Sequence, residues 1–147
     1  MLRTKLRNLQ AAITHIYDVL LDTLHLVAED DGVAGYERLT KACELAHAAN
    51  VHIILKGAYS AIITPAGKCY FNPTGNPGMA TGGSGDVLTG VILALLAQGY
   101  PAEDAAKIGT YIHGLAGDFA QKKQGMIGLI ASDIITCLPT AWRLVSE

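Results

Sequence analysis

The sequence predicts an α/β domain, with a partial parallel sheet flanked by helices and a small β-hairpin. Three observations predict it. Residues 51–57 read VHIILKG, a β-branched run with almost no polar break, the pattern of a strand buried on both faces in a parallel sheet. Residues 60–64 and 68–71 bracket the turn sequence Pro65-Ala66-Gly67, so they predict two strands paired as a hairpin. Elsewhere apolar residues recur at spacings of three and four, the helical period.

Along the chain, residues 3–28 predict a helix carried by Leu6, Leu9, Ile13, Ile16, Leu20, Leu24 and Val27. Asp30, Asp31, Gly32 and Gly35 then punctuate it. A second helix is expected over about 36–49, with Leu39, Ala42, Cys43, Leu45 and Ala46 on one face and Asn50 as its C-cap. After the hairpin, residues 72–90 read NPTGNPGMATGGSGDVLTG. This glycine-rich loop leads into a helix over about 86–98, ended by Gly99 and Pro101. Pro101 opens another helix at its first position, which runs through Ile108, Tyr111, Ile112 and Leu115 to about 122. Ser132 is expected to cap the last helix, Asp133 to sit in its first turn, and Pro139 to kink or interrupt it. Trp142 and Leu144 are assigned to the core or an interface. Three strands are few for a doubly wound domain. Either the sheet is small or the chain is part of a larger fold.

Composition narrows the function classes. With 147 residues, half of them hydrophobic and 16% charged, the chain is long and apolar enough to fold as one domain. The net charge is −2 and no basic block is present, which argues against nucleic acid or an anionic membrane as the main partner. Cys43, Cys69 and Cys137 are scattered and form no C-x-x-C pair, so neither a disulfide framework nor a zinc site is expected, and a reducing cytoplasm fits best. Arg3, Lys5 and Arg7 mimic the start of an export signal, but His15, Asp18, Asp22 and His25 interrupt the apolar stretch behind them. The run VILALLA at 91–97 is too short to cross a bilayer.

The loop carries the chemistry. GGSGD, residues 82–86, stands directly before an apolar helix. The first turn of a helix leaves backbone N–H groups unpaired, and its dipole favours an anion there. Glycines let the backbone close on that anion, and consecutive N–H groups form a nest. The loop therefore suits a phosphate, or the charge on a transferring phosphoryl group. Asp86 adds a carboxylate at the joint. By itself an Asp at a helix start is a cap; beside this cluster it reads as the base that takes a proton from an attacking hydroxyl. A Walker A loop is excluded, because no Lys follows the glycines before Lys107, and the Rossmann G-x-G-x-x-G spacing fails too. Lys56 ends the strand-like run, where it either reaches a nucleotide phosphate or is a solvated lysine.

These residues carry a resemblance. KGAYSAIITPAGKCYFNPTGNPGMATGGSGDVLTG, then LLAQGYPAEDAAKIGTYIHGLAGD, then ASDIITCLP, resemble the ADP/ATP-dependent NAD(P)H-hydrate dehydratases of the ribokinase-like superfamily. The resemblance covers about residues 36–144 and implies a C-terminal half of such a domain over 36–147, after a divergent helical segment over 1–35. It implies repair of NADHX and NADPHX to NADH and NADPH, with ADP or ATP as phosphoryl donor and magnesium as the usual metal. It implies that Lys56, Gly57, Ala58, Tyr59 and Ser60 line the nucleotide site. Asn76, Gly78, Thr81, Gly82, Gly83, Ser84 and Gly85 would form the phosphate loop, with Gly85 nearest the nucleotide. Asp86 would contact the hydrated nicotinamide and act as base.

Family domains are longer and begin with a nicotinamide-binding half that is not found here. Their T-P-H-P-G-E-like stretch has only a faint echo at Thr14-His15-Ile16-Tyr17-Asp18, where His15 reads as an ordinary helix histidine. A small-molecule kinase and a truncated nucleotide-binding module that self-associates remain open as alternatives. His113 and Asp118, five apart in HGLAGD, read as structural, with Gly114 and Gly117 permitting close helix packing. His47 and His52 flank a helix end, where histidine is stabilising.

Overall fold

The computed structural model describes residues 35–146. The expected helix over 3–28 and the His15 reading lie outside the described residues. Within them the order is α1 (Gly35–Ala49), β1 (Ile53–Leu55), β2 (Ala61–Ile63), β3 (Cys69–Phe71), a short 3-10 turn (Pro77–Met79), α2 (Ser84–Ala97), α3 (Ala102–Gln124) and α4 (Ala131–Ser146).

The first body is a three-stranded sheet with α1 against it. Leu39, Ala42, Cys43 and Ala46 of α1 pack with Ile53, Leu55, Ala61, Ile63 and Cys69. Asn50 ends α1 as expected. It takes a positive φ of 53°, and its N–H bonds to the His47 carbonyl while that of Val51 bonds to the Ala46 carbonyl, the two bonds of a Schellman cap. The hairpin is present, with Ala61 opposite Phe71 and Ile63 opposite Cys69.

The expected parallel arrangement is not. Among the described residues the strand order is β1-β2-β3 and both pairings are antiparallel, with Ile53 opposite Ile63 and Leu55 opposite Ala61. The strand covered on both faces is the central one, β2, all three of whose residues are buried, whereas β1 is half-buried throughout. A short apolar run does not reveal pairing direction, because a central antiparallel strand covered on both sides shows the same pattern.

The second body is a layer of three helices. Ile112, Ala116 and Ala120 of α3 pack with Ile134, Cys137 and Ala141 of α4 and with Leu129 between them, and Val87 of α2 leans on the same core. Trp142 and Leu144 are not core residues: they stand 36% and 60% exposed on the last turns of α4. The helix runs unbroken through Pro139, which lies on its exposed side. It begins at Ala131, so Ser132 is not its cap. Asp133 has that task instead, accepting the Ile130 N–H at 3.0 Å in the manner of an acidic third residue closing a first turn. The close helix–helix contact falls at Gly109, where a Cβ would come within 2.8 Å of Ile92 on α2. Tyr70 ties the two bodies together by donating to Glu103 at 2.7 Å, a bond that holds the Glu103 carboxyl below its ordinary range.

Candidate functional site

The loop over 72–83 crosses from β3 to α2 along one face of α3, and α3 is shaped to receive it. Asn72 is buried, and its amide donates to the Thr110 carbonyl at 3.4 Å and to that of Thr74 at 2.9 Å. Thr74 Oγ1 donates to the Tyr111 carbonyl at 2.9 Å. Asp118 accepts the Gly75 N–H at 3.0 Å and the Asn76 amide at 2.9 Å. Gly114 and Gly117 make room for this path: a Cβ would come within 2.7 Å of the Thr74 backbone at Gly114 and of Met79 Cγ at Gly117. These two glycines admit the loop rather than a neighbouring helix.

His113 and Asp118, read from their spacing as structural, both bond the loop. They do not face each other over a metal; each grips a different end of the loop. His113 is 5% exposed, and its Nε2 lies 2.9 Å from the Ser84 carbonyl. That acceptor assigns the ring proton to Nε2. Burial pushes the imidazole pKa down, the bond to Ser84 partly restores it, and the nearby Lys56 ammonium lowers it further.

At the α2 end the backbone opens. Gly83 is left-handed at φ 84° and is the N-cap of α2. The Ser84 N–H bonds to Thr81 and that of Val87 to Gly83. The amides of Gly82, Gly83, Gly85 and Asp86 find no acceptor among the described residues. A left-handed residue next to a right-handed turn is the geometry of an anion nest. Lys56 comes to the same place: its Nζ lies 3.7 Å from the position of a Cβ on Gly85. Asp86 is exposed in the first turn of α2. Ser84 is 1% exposed, and its hydroxyl has no partner among the described residues.

Of the residues singled out from sequence, Lys56, Gly82, Gly83, Ser84, Gly85 and Asp86 thus converge. Gly57, Ala58 and Tyr59 follow Lys56 in an exposed bend, and Ser60 is half-buried. Asn76 and Gly78 are built differently. Asn76 uses its amide on Asp118 and its carbonyl oxygen on the Gly78 N–H, so both hold the loop in shape. Beside Asp86 a groove of about 790 Å³ opens between α2 and α4, with walls that include Val87, Val91, Ala94, Ile135 and Trp142.

Comparison with known proteins bears on this arrangement. A family model described as NAD(P)H-hydrate dehydratase matches residues 23–140. The chain belongs to the NAD(P)H-hydrate dehydratase family. It is 46% identical over 110 residues to a bifunctional NAD(P)H-hydrate repair enzyme of Thermofilum pendens, covering 75% of this chain and 21% of that protein. It is 45% identical over 83 residues to an ADP-dependent (S)-NAD(P)H-hydrate dehydratase of Neisseria meningitidis, covering 56% and 28%. Among solved structures it resembles the Bacillus subtilis ADP/ATP-dependent NAD(P)H-hydrate dehydratase co-crystallized with ATP and Mg2+, at TM-score 0.70 and 34% identity, over 74% of this chain and 39% of that one. A ribokinase-like superfamily protein of Enterococcus faecalis matches at TM-score 0.64 and 34% identity, over 72% and 36%. The fold is therefore ribokinase-like. The chain spans a fifth to two fifths of the length of these relatives.

Proposed function

We propose that this chain carries the phosphoryl-transfer part of an ADP- or ATP-dependent dehydration of (S)-NADHX or NADPHX to NADH or NADPH. The observation that carries the reading is the convergence of four unpaired amides, the Lys56 ammonium and the exposed Asp86 carboxylate at one helix start. The donor's terminal phosphate sits against the amides of Gly82, Gly83 and Gly85, with Lys56 opposite. Residues 57–60 border the nucleotide. The apolar groove beside Asp86 accepts the hydrated nicotinamide ring.

Asp86 takes the proton of the substrate hydroxyl as its oxygen attacks the terminal phosphorus. The bond from that phosphorus to the bridging oxygen breaks, and AMP leaves when ADP is the donor. The phosphorylated carbon then loses inorganic phosphate with its C–O bond, a proton departs from the ring, and the double bond of NADH or NADPH is restored. The amides lower the barrier by meeting charge that grows on the phosphoryl oxygens. Magnesium fits this donor set only as a companion of the phosphates. Among the described residues no three His, Cys, Asp or Glu side chains converge, and Mg2+ needs only one or two carboxylates besides phosphate and water. Such an ion would be held chiefly by the donor's phosphates and water and would neutralise phosphate charge, leaving the Asp86 carboxylate free to take the proton.

A reducing cytoplasm suits the thiols of Cys43, Cys69 and Cys137, all free. No described helix is long and apolar enough to cross a membrane. Association with a second copy through the end of α4, outside the groove, is part of the same reading, since Leu144 and Val145 stand exposed there.

The test is turnover of NADPHX with ADP by the protein and by Asp86→Asn. Loss of about 10²-fold or more in rate with ADP affinity kept supports the assignment. Normal turnover by the variant refutes the role of Asp86. A stable phosphorylated alcohol, with no NADPH formed, would replace the dehydratase with a kinase.

A further inference from the structure

We propose that His113 is the positioning residue of the phosphate loop: by holding the Ser84 carbonyl inward it aims the Gly85 N–H outward at the nucleotide. The proposal rests on the nucleotide reading above and adds a residue that touches neither substrate nor phosphate.

The Ser84 carbonyl and the Gly85 N–H belong to one planar trans unit, in which they point in opposite directions. Whatever fixes one fixes the other. Ser84 is 1% exposed and His113 5% exposed, so their 2.9 Å contact lies beneath the loop, not on its open side. The opposite edge of that peptide carries the Gly85 amide, which has no acceptor among the described residues; Lys56 Nζ reaches the same residue, 3.7 Å from the position of a Cβ on it.

The peptide needs such a hold. It is the first peptide of α2, directly behind the left-handed N-cap Gly83 and followed by a second glycine, so it stands at the end of the helix where the ladder holds least and glycine resists least. Ser84 does not hold itself, because its hydroxyl is buried without a partner among the described residues. The anchors at Asn72, Thr74 and Asp118 all act on residues 72–76, eight or more positions upstream. Thr89 Oγ1 donates to the next carbonyl, that of Gly85, at 3.0 Å, so among the described residues His113 is the side chain that bonds the Ser84–Gly85 peptide itself.

The ring suits the task. With the proton on Nε2 it donates to a carbonyl, which only accepts. Burial and the Lys56 ammonium both lower its pKa, which favours the neutral ring over a second cation beneath the loop. A preorganised donor needs no reorganisation when phosphoryl charge develops, and an unpinned one does.

Two variants separate positioning from packing. His113→Phe keeps a ring in the buried space and removes the donor; His113→Gln keeps a donor. The expected result is about tenfold weaker ADP binding for the Phe variant, the loss of one well-aimed hydrogen bond, and affinity within about threefold of the parent for Gln. Equal affinity in parent and Phe variant, or equal losses in both variants, overturns the proposal. Nitrogen-15 relaxation without nucleotide gives a reading independent of ADP. The Gly85 amide should be rigid in the parent and disordered in the Phe variant, and an unchanged Gly85 overturns the positioning role whether or not ADP binds. Should neither variant fold, the imidazole nitrogen shifts of the parent decide: a proton on Nδ1 instead of Nε2 contradicts the assignment. Failure of the parent to bind ADP, with Gly85 still ordered by His113, would refute the nucleotide reading and leave the anchoring intact.

Discussion

The two ends of the glycine-rich loop are built in opposite ways. Residues 72–79 commit nearly every polar group to the protein: Asn72, Thr74, Gly75, Asn76 and Gly78 all bond within the loop or to α3. Among the described residues, 82–86 leave four amides without an acceptor and one carboxylate in solvent. The same composition thus serves two purposes. The front end is an anchor whose satisfied bonds fix the path of the chain. The back end, exposed or half-exposed at those four residues, keeps its donors open to water or to a ligand. The contrast teaches that glycine content alone does not decide whether a loop's amides are spent on the protein or left open.

The largest test of the anchor is Gly114→Ala. Alanine gains about 1 kcal/mol of helix propensity over glycine, but its Cβ would press within 2.7 Å of the Thr74 backbone. Overpacking against backbone costs about 3 kcal/mol, so the clash wins and urea denaturation should show a net loss of about 2 kcal/mol. Asp118→Ala removes the acceptor of two loop donors and should cost about 2 kcal/mol, read the same way. An unchanged midpoint in either variant would break the picture of a fastened front end.

At the back end, Gly83→Ala should destabilise by about 1–2 kcal/mol, because Gly83 is left-handed and its Cβ would meet Ala131 at 3.1 Å. His113 adds a pH dependence. Its folded-state pKa is depressed below the ordinary 6.5, with burial the chief cause. The unfolded chain therefore binds the proton more readily, and stability rises with pH across that interval. The contribution is full above 6.5 and is lost as pH falls through the ordinary value toward the depressed one. Denaturation midpoints of parent and His113→Gln should diverge above pH 6.5 and converge below it. The smallest expected effect is Gly82→Ala. Nothing lies within 4 Å of its Cβ position, so stability should stay within about 0.5 kcal/mol while ADP affinity falls. A large loss of stability there would place Gly82 in the anchor instead.

Much of this is legible in the sequence. The helix stops at Asn50 and Gly99, the turn at 65–67 and the loop-to-helix joint at Asp86 each have a local cause, and local causes are written in neighbouring residues. Strand direction has none: three apolar residues in β1 look alike in parallel and antiparallel pairs. Pro139 reads as a break in the sequence, but on the exposed face of α4 the helix carries it. The site is legible as chemistry and not as support. HGLAGD shows two glycines three apart, which signals a bare helix face. That the loop lies on it, and that His113 reaches Ser84 twenty-nine positions upstream, emerges only from the fold.

The most direct measurement is an amide nitrogen–proton correlation spectrum of the protein titrated with ADP. Large, saturable shifts are expected at Gly82, Gly83, Gly85 and Asp86, with Gly75 and Gly78 nearly still. Shifts as large at Gly75 and Gly78, or none at 82–86, would contradict it.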